Sequence, residues 1–80
     1  LDEVIHGRLR LALMAFLSTA REAEFQELRD VLDVTAGNLS VQLRTLDHAG
    51  YVAVLKSHRG RKSLTTVAIT AVGDAALARY

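Results

Sequence analysis

The sequence predicts one small α+β domain over residues 1–80, mainly helical and with a single β-hairpin. Three observations predict it. Apolar residues recur at three- and four-residue spacing along most of the chain, and two β-branched runs flank a polar segment that contains Gly60. Half of the residues, 50%, are hydrophobic, which is enough to build a core. The expected order is helix, short strand, helix, helix, strand, basic turn, strand and helix.

The first half of the chain predicts two helices. The first runs from Leu1 to Ser18 with Asp2 as its cap, and its apolar stripe contains Val4, Ile5, Leu9, Ala12, Leu13, Phe16 and Leu17. Leu11 and Met14 fall outside this stripe, which indicates a second apolar surface. A loop with a short strand around residues 23–24 follows. The second helix runs from Phe25 to Leu32, and its inner face holds Phe25, Leu28, Val31 and Leu32.

A third helix is predicted from Thr35 to Ala49, directly after a tight turn at residues 33–34. Thr35 can accept a hydrogen bond from a free amide of the first helical turn. Gly50 suits the left-handed conformation that commonly follows a helix. The inner stripe is narrow and consists of Leu39, Leu43 and Leu46. Two helices joined in this way predict a helix-turn-helix unit.

The second half of the chain continues with a hairpin and a last helix. Strands are predicted over residues 51–55 and 63–69, because both runs are β-branched and alternating. Thr70 then caps a helix over residues 71–80, in which Ala75, Ala76 and Leu77 can pack.

Positive charge is concentrated at the predicted turn of the hairpin. Residues 56–62 hold four of the ten Lys and Arg residues and no acidic one. Residues 1–33 carry seven acids and four bases, whereas residues 34–80 carry two acids and six bases. Hairpin tips are often charged simply because they are solvated. A run of bases without acids is better explained by neutralisation of phosphates.

The outer face of the third helix has the composition of a nucleic-acid reader. Opposite its leucine stripe lie Gly37, Val41, Arg44 and His48, flanked by Asn38, Ser40 and Thr45. Gly37 allows the backbone to approach a phosphate. Asn38 can read adenine, Arg44 can bind guanine or phosphate, and Val41 can touch a thymine methyl group. An ordinary solvated helix face is the alternative. A helix followed by a basic hairpin is typical of a winged helix-turn-helix, in which the helix enters the major groove and the hairpin, or wing, touches phosphate.

Catalytic and metal-binding patterns are missing from the sequence. There is no Cys, and His6, His48 and His58 do not follow the spacing of a zinc motif. No Ser-His-Asp set, glycine-rich phosphate loop or paired carboxylate stands out. We therefore expect no enzyme, no metal and no cofactor, and a small metalloenzyme is disfavoured. No apolar run approaches the roughly 20 residues that cross a bilayer. The expected location is the cytoplasm, with the nucleoid when bound to DNA.

Three segments carry a family resemblance. They are Thr35-Ala36-Gly37-Asn38-Leu39-Ser40, Leu43-Arg44-Thr45-Leu46 and Ala49-Gly50-Tyr51-Val52. Together they resemble the recognition helix of small winged-helix transcriptional regulators related to the MarR and ArsR groups. Gly60-Arg61-Lys62 and the Ile69-Thr70-Ala71-Val72-Gly73 pattern resemble the wing and the entry to the last helix of that family. The resemblance implies a DNA-binding homodimer without catalytic activity. It matches Asn38, Ser40, Val41, Gln42 and Arg44 to the recognition helix, and Arg59, Arg61 and Lys62 to the wing.

The sequence thus predicts a winged helix-turn-helix regulator that binds double-stranded DNA sequence-specifically, and that forms a homodimer through its first and last helices. The recognition helix, about residues 35–49, would use Thr35, Gly37, Asn38, Ser40, Val41, Gln42, Arg44 and Thr45. The wing, residues 56–62, would use Lys56, His58, Arg59, Arg61 and Lys62. The alternative is a winged-helix protein-interaction module without DNA binding, whose hairpin meets an acidic partner. Binding to unrelated duplex DNA at low and high salt distinguishes the two.

Overall fold

The computed structural model describes residues 2–80, which form four helices and one three-stranded antiparallel sheet. In chain order the elements are α1 (Arg8–Ala20), β1 (Glu22–Glu24), α2 (Phe25–Leu32), α3 (Ala36–His48), β2 (Val52–Arg59), β3 (Lys62–Ile69) and α4 (Ala71–Arg79). The predicted fold class and element order are confirmed. The longest dimension is 42 Å, against 24 and 21 Å across it.

The sheet has the strand order β1-β3-β2, so that β3 pairs on both sides. The ladder between β2 and β3 runs from Val52 opposite Ile69 to Arg59 opposite Lys62. The predicted end of the first strand at residue 55 is therefore wrong, and residues 56–59 are strand. Backbone hydrogen bonds extend the ladder whatever side chains it carries. Only residues 60–61 form the turn. Gly60 has a φ of +65°, as a type II′ turn requires at its first central residue.

The core gathers side chains from every element, with α1 packed against α2, α3, α4, β1 and β3. Because neighbours surround α1, its off-stripe residues are not left for solvent. Met14 is fully buried in the core, and Leu11 is partly buried against it. The inferred second apolar surface on this helix is thus largely internal, and Met14 cannot contribute to a dimer contact.

Helix α1 begins at Arg8 and not at the chain start, where Leu1 lies outside the described residues. Asp2 caps a separate turn, because its Oδ1 accepts hydrogen bonds from the backbone amides of Val4 (2.9 Å) and Ile5 (3.3 Å). The carbonyl of Val4, which a continuous helix would offer to the amide of Arg8, accepts instead from Arg10 Nε at 2.5 Å. The His6 amide donates to the Asp2 carbonyl at 2.8 Å, so this segment closes a turn of its own. The predicted helix is interrupted at Gly7, whose backbone is extended (φ 172°, ψ 139°).

Helix α2 has its predicted bounds. One residue on α2 and one on α4 that were expected to pack inward are exposed. Val31, expected on the inner face of α2, is 54% exposed, whereas Leu28 is buried in the core and Phe25 and Leu32 pack partly against it. On α4, Ala76 is buried, Leu77 is half-buried and Ala75 is exposed.

The start of α4 is joined to the end of α3 and the start of β2. Thr70 caps α4 by accepting from the Gly73 amide at 3.0 Å, and its hydroxyl also donates to the Gly50 carbonyl at 2.6 Å. The Thr70 amide donates to the Tyr51 carbonyl at 3.1 Å. A Cβ added at Gly73 would lie 2.2 Å from that same Tyr51 oxygen, so only glycine permits this close approach. The junction sets where the hairpin leaves the domain.

Candidate nucleic-acid interface

Helix α3 is fixed along its length and at both ends. Its inner residues Leu39, Leu43 and Leu46 are at most 4% exposed. Thr35 Oγ1 accepts from the Asn38 amide at 3.1 Å, which confirms the predicted N-terminal cap. At the other end Gly50 has a φ of +82°, and its amide donates to the Asp47 carbonyl at 2.9 Å while the Tyr51 amide donates to the Leu46 carbonyl at 3.0 Å. These two bonds form a Schellman motif. The opposite face of α3 is consequently held in one position.

Most side chains predicted to contact DNA lie open on that opposite face. Ser40 and Gln42 are half-buried, and the exposed positions of this set are Thr35, Gly37, Asn38, Val41, Arg44 and Thr45. A Cβ added at Gly37 would meet nothing within 4 Å, so the fold does not require glycine there. The Thr45 hydroxyl donates to the Val41 carbonyl at 3.3 Å, within the helix. The exposed surface of α3 is thus largely independent of the core.

Gln42 is not free, because it is held between two other side chains. Arg10 Nη1 donates to Gln42 Oε1 at 2.7 Å, and Gln42 Nε2 donates to Asn38 Oδ1 at 3.1 Å. Sequence reasoning missed Arg10 as a neighbour of the recognition helix. No signal in the sequence links two residues that are 32 positions apart on different helices.

The basic residues of the hairpin fall on two faces of the sheet. Side chains alternate along a strand, so Lys56 and His58 share the face of the partly buried Val54, which is the side of α3. Arg59 and its cross-strand partner Lys62 lie on the other face. Arg61 is in the turn. The structure therefore brings Lys56 and His58 to the side of α3, and it directs Arg59 and Lys62 to the opposite face.

A cleft of about 340 Å³ lies between α3 and the hairpin. It brings Ser40 and Arg44 of the helix to one wall and Lys56 and Thr65 of the hairpin to the other, with Asp47 at its border. A second depression, on the opposite face of the sheet, places Arg59 beside Glu22, Glu24 and Glu27. The two faces consequently differ in charge, since the bases next to α3 face one acid and Arg59 lies among several.

Two polar contacts between distant residues brace the domain away from this surface. The Tyr51 hydroxyl donates to Asp2 Oδ2 at 2.5 Å, which lowers the pKa of Asp2 and raises the pKa of Tyr51. The Arg21 guanidinium donates two hydrogen bonds to Asp74, which lowers the pKa of that carboxyl. These contacts attach the N-terminal segment to Tyr51, directly before β2, and Arg21, directly after α1, to α4.

Residues 2–80 contain no group of three or more His, Asp or Glu side chains placed to hold a metal ion. His6 and His58 lie in different parts of the domain. His6 Nδ1 is 2.8 Å from the Tyr80 hydroxyl, and His58 is on the hairpin. Within the same residues, no helix has both the length and the apolar character needed to cross a bilayer.

Comparison with known proteins agrees with this geometry. A family model described as the winged helix DNA-binding domain matches residues 9–80. An uncharacterised protein of Methanocaldococcus jannaschii is 30% identical over 98% of this chain and 85% of its own length.

Solved structures include close matches to the whole domain. A transcriptional regulator homologue from Pyrococcus horikoshii is 35% identical, with a TM-score of 0.92 over 98% of this chain and 77% of its own. A mutant of MarR from E. coli, complexed with operator DNA, is 26% identical, with a TM-score of 0.70 over 85% of this chain and 47% of its own. An ArsR family transcriptional regulator shares the fold with a TM-score of 0.71, over 96% of this chain and 79% of its own, at 21% identity.

The resemblance to MarR and ArsR regulators is thereby confirmed, as is the prediction of a protein that is not an enzyme, because the matching family consists of transcription regulators. The chain belongs to the family of winged helix DNA-binding domains, and it is a DNA-binding domain of the transcriptional-regulator type.

Proposed function

We propose that this domain binds double-stranded DNA sequence-specifically, with α3 in the major groove and the hairpin on the phosphate backbone. One observation carries the proposal: the exposed polar face of α3 and the Lys56–His58 face of the hairpin lie on either side of one cleft. A helix of this width fits the major groove, and a flanking basic strand then lies near the phosphates. MarR, a relative with the same fold, is complexed with operator DNA in its crystal structure, which supports DNA binding by this domain.

The exposed side chains of α3 supply the base contacts in this proposal. Arg44 can donate two hydrogen bonds to guanine, and Val41, 51% exposed, can contact a thymine methyl group. Thr35, Gly37 and Ser40 contact the DNA backbone in this proposal, because small side chains and main-chain amides can approach phosphate oxygens closely. Asn38 lies near the start of the helix, where recognition helices contact base edges.

In this proposal the hairpin supplies the positive charge that neutralises phosphates, and its two faces contribute unequally. In this proposal Lys56, His58 and Arg61 contact phosphates, and the position of Lys56 in the cleft beside α3 supports this. Arg59 and Lys62 contribute less in this proposal, because they point to the other face and Arg59 has acidic neighbours there. Each phosphate neutralised adds about 0.9 to the slope of log affinity against log salt.

The test is a selection of bound duplexes from a random pool, followed by titration of the selected and a scrambled duplex at several salt concentrations. We expect one enriched site, and affinity for both duplexes that falls as salt rises. If neither duplex binds even at low salt, the domain is a protein-interaction module and the proposal is wrong.

We also propose that two copies pair through α1 and α4 and so read a two-fold site. The outer face of α4 presents small exposed side chains, Ala71, Ala75 and Ala78, next to the 56% exposed Val72. Small residues allow two helices to approach closely, and an exposed apolar patch favours association.

Sedimentation velocity at micromolar concentration tests the pairing. We expect a dimer for the unchanged chain and a monomer for Ala78→Glu, because the new carboxylate would be buried without a partner. Val31→Glu is the matched control, since Val31 is exposed on α2, away from α4. A monomer for the unchanged chain, both free and with the selected duplex, contradicts the proposal.

A further inference from the structure

A chain of hydrogen bonds runs from α1 through Gln42 to Asn38 on the exposed face of α3. We propose that this chain decides which hydrogen-bonding group Asn38 presents to DNA, and that Arg10 is its positioning residue. The inference rests on the proposed function and deepens it, because it names a specificity-determining residue that does not itself touch DNA.

The direction of the chain follows from the chemistry of Arg10. A guanidinium has five N–H donors and no acceptor, so Gln42 has to turn its carbonyl oxygen toward Arg10. Their Nη1–Oε1 distance is 2.7 Å. The Gln42 amide nitrogen, which can only donate, then faces Asn38. Asn38 therefore has to accept this hydrogen bond with its own carbonyl oxygen, at 3.1 Å. The orientation of both amides is thus set by hydrogen-bonding logic, which is the ground on which such groups are assigned.

Arg10 can impose this direction because it is itself held in place. Its Nε donates to the Val4 carbonyl at 2.5 Å, and its Nη2 lies 3.4 Å from the His6 carbonyl. Both carbonyls belong to the N-terminal segment, which is anchored by the fully buried side chain of Ile5. All three guanidinium nitrogens therefore have an acceptor, and the side chain is not free to turn away from Gln42.

The group left for DNA is the Asn38 amide nitrogen. Asn38 is exposed, and one lone pair of its carbonyl oxygen is occupied by Gln42. A free asparagine commonly pairs with adenine through both of its groups. With its carbonyl oxygen turned toward Gln42, Asn38 presents its amide N–H donors to the DNA. It favours bases that present acceptors without a donor in the major groove, namely guanine at O6 and N7 or thymine at O4, over cytosine, which presents only a donor at N4.

Gln42→Glu is the sharpest test, because a carboxylate keeps the bond to Arg10 but has no donor for Asn38. The Asn38 amide should then turn its nitrogen toward Glu and its oxygen toward DNA. In a selection of duplexes from a random pool, the base pair read by Asn38 is the one that loses its preference in Asn38→Ala. At this base pair we expect Gln42→Glu to move the preference from guanine or thymine to cytosine or adenine. The same change made in Asn38→Ala should produce no such shift, which separates a turned Asn38 from direct contact by the new carboxylate.

Removal of Arg10 releases the chain. Arg10→Ala should reduce discrimination at the Asn38 base pair by roughly 2- to 10-fold, the range of one net hydrogen bond, and leave the other positions unchanged. Arg8→Ala is the matched control, because Arg8 is an exposed arginine of the same helix. A thermal melt shows whether each variant folds. If the Arg10→Ala variant is unfolded, the duplex selection with Gln42→Glu alone tests the positioning role.

The outcomes are distinct from those of the proposed function. Site-specific binding that survives in every variant, with the Asn38 base pair unchanged in both Gln42→Glu and Arg10→Ala, overturns the positioning role and leaves the proposed function intact. An unchanged chain that selects no site overturns both.

Discussion

Helix α3 and the hairpin form the two halves of the proposed DNA interface, and they are held in opposite ways. The helix is anchored by three buried leucines and is capped at both ends. In the hairpin every residue from 55 to 63 is exposed, and only the ladder between β2 and β3 holds that part in shape. The same proposed ligand is therefore met by one element that belongs to the core and one that projects from it.

The difference follows from the tasks that we propose for them. A base contact is a hydrogen bond, which weakens steeply when distance or angle departs from its optimum, so its carrier has to be fixed. Phosphate neutralisation acts through charge, over a screening length of about 10 Å at 0.1 M salt. A cation on a projecting hairpin can satisfy that requirement without precise placement. Substitutions should accordingly separate into those that unfold the domain, those that change base preference and those that change only salt dependence.

The largest expected effect is the loss of a leucine beneath α3. Leu43→Ala should lower the free energy of unfolding by roughly 2–5 kcal/mol, because the 4% exposed side chain leaves a cavity. Leu55→Ala on the hairpin, where the side chain is 61% exposed, should change it by no more than about 0.5 kcal/mol. Urea unfolding of both variants is the measurement. Equal losses would show that the hairpin is as much a part of the core as the helix.

An intermediate effect is expected from an arginine on each element. Arg44→Ala should cost roughly 1–3 kcal/mol of binding at particular base pairs and leave unfolding unchanged, since its side chain points away from the core. Arg59→Ala, on the far face of the hairpin, should leave base preference unaltered. Titration of each variant with the selected duplex and with single-base changes makes the comparison. If both Arg44→Ala and Asn38→Ala keep full discrimination between duplexes, α3 does not read the base sequence.

The smallest effect is expected at the tip of the hairpin. Arg61→Ala should lower the slope of log affinity against log salt by about 0.9 for each bound protomer and weaken all sequences alike. Lys62→Ala, on the face away from α3, should lower it less. Affinities for one duplex over a range of salt concentrations give both slopes. Unchanged slopes in both variants would remove the tip from the interface.

The local features of α3 were predictable because each depends on residues within one or two turns. Thr35 precedes the leucine stripe by the spacing of a cap, and Gly50 follows its last turn, so the sequence alone predicted both ends of the helix. The predicted start of α1 is wrong for an equally local reason. The backbone is extended at Gly7, and Arg10 takes the Val4 carbonyl that a continuous helix would use. The spacing of apolar residues registers neither feature.

The sequence by itself determined the order of the elements, the leucine stripe beneath α3 and the basic character of the hairpin, because periodicity, caps and charge runs act over short distances along the chain. The family was indicated by the resemblance of short segments such as Thr35-Ala36-Gly37-Asn38-Leu39-Ser40. Tertiary structure alone decided three other matters. Met14 became core because several elements enclose α1, the bases of the hairpin were divided between two faces by the strand register, and Arg10 met Gln42 across 32 residues. Each depends on how separate elements pack together, and packing is not a property of any one segment of the sequence.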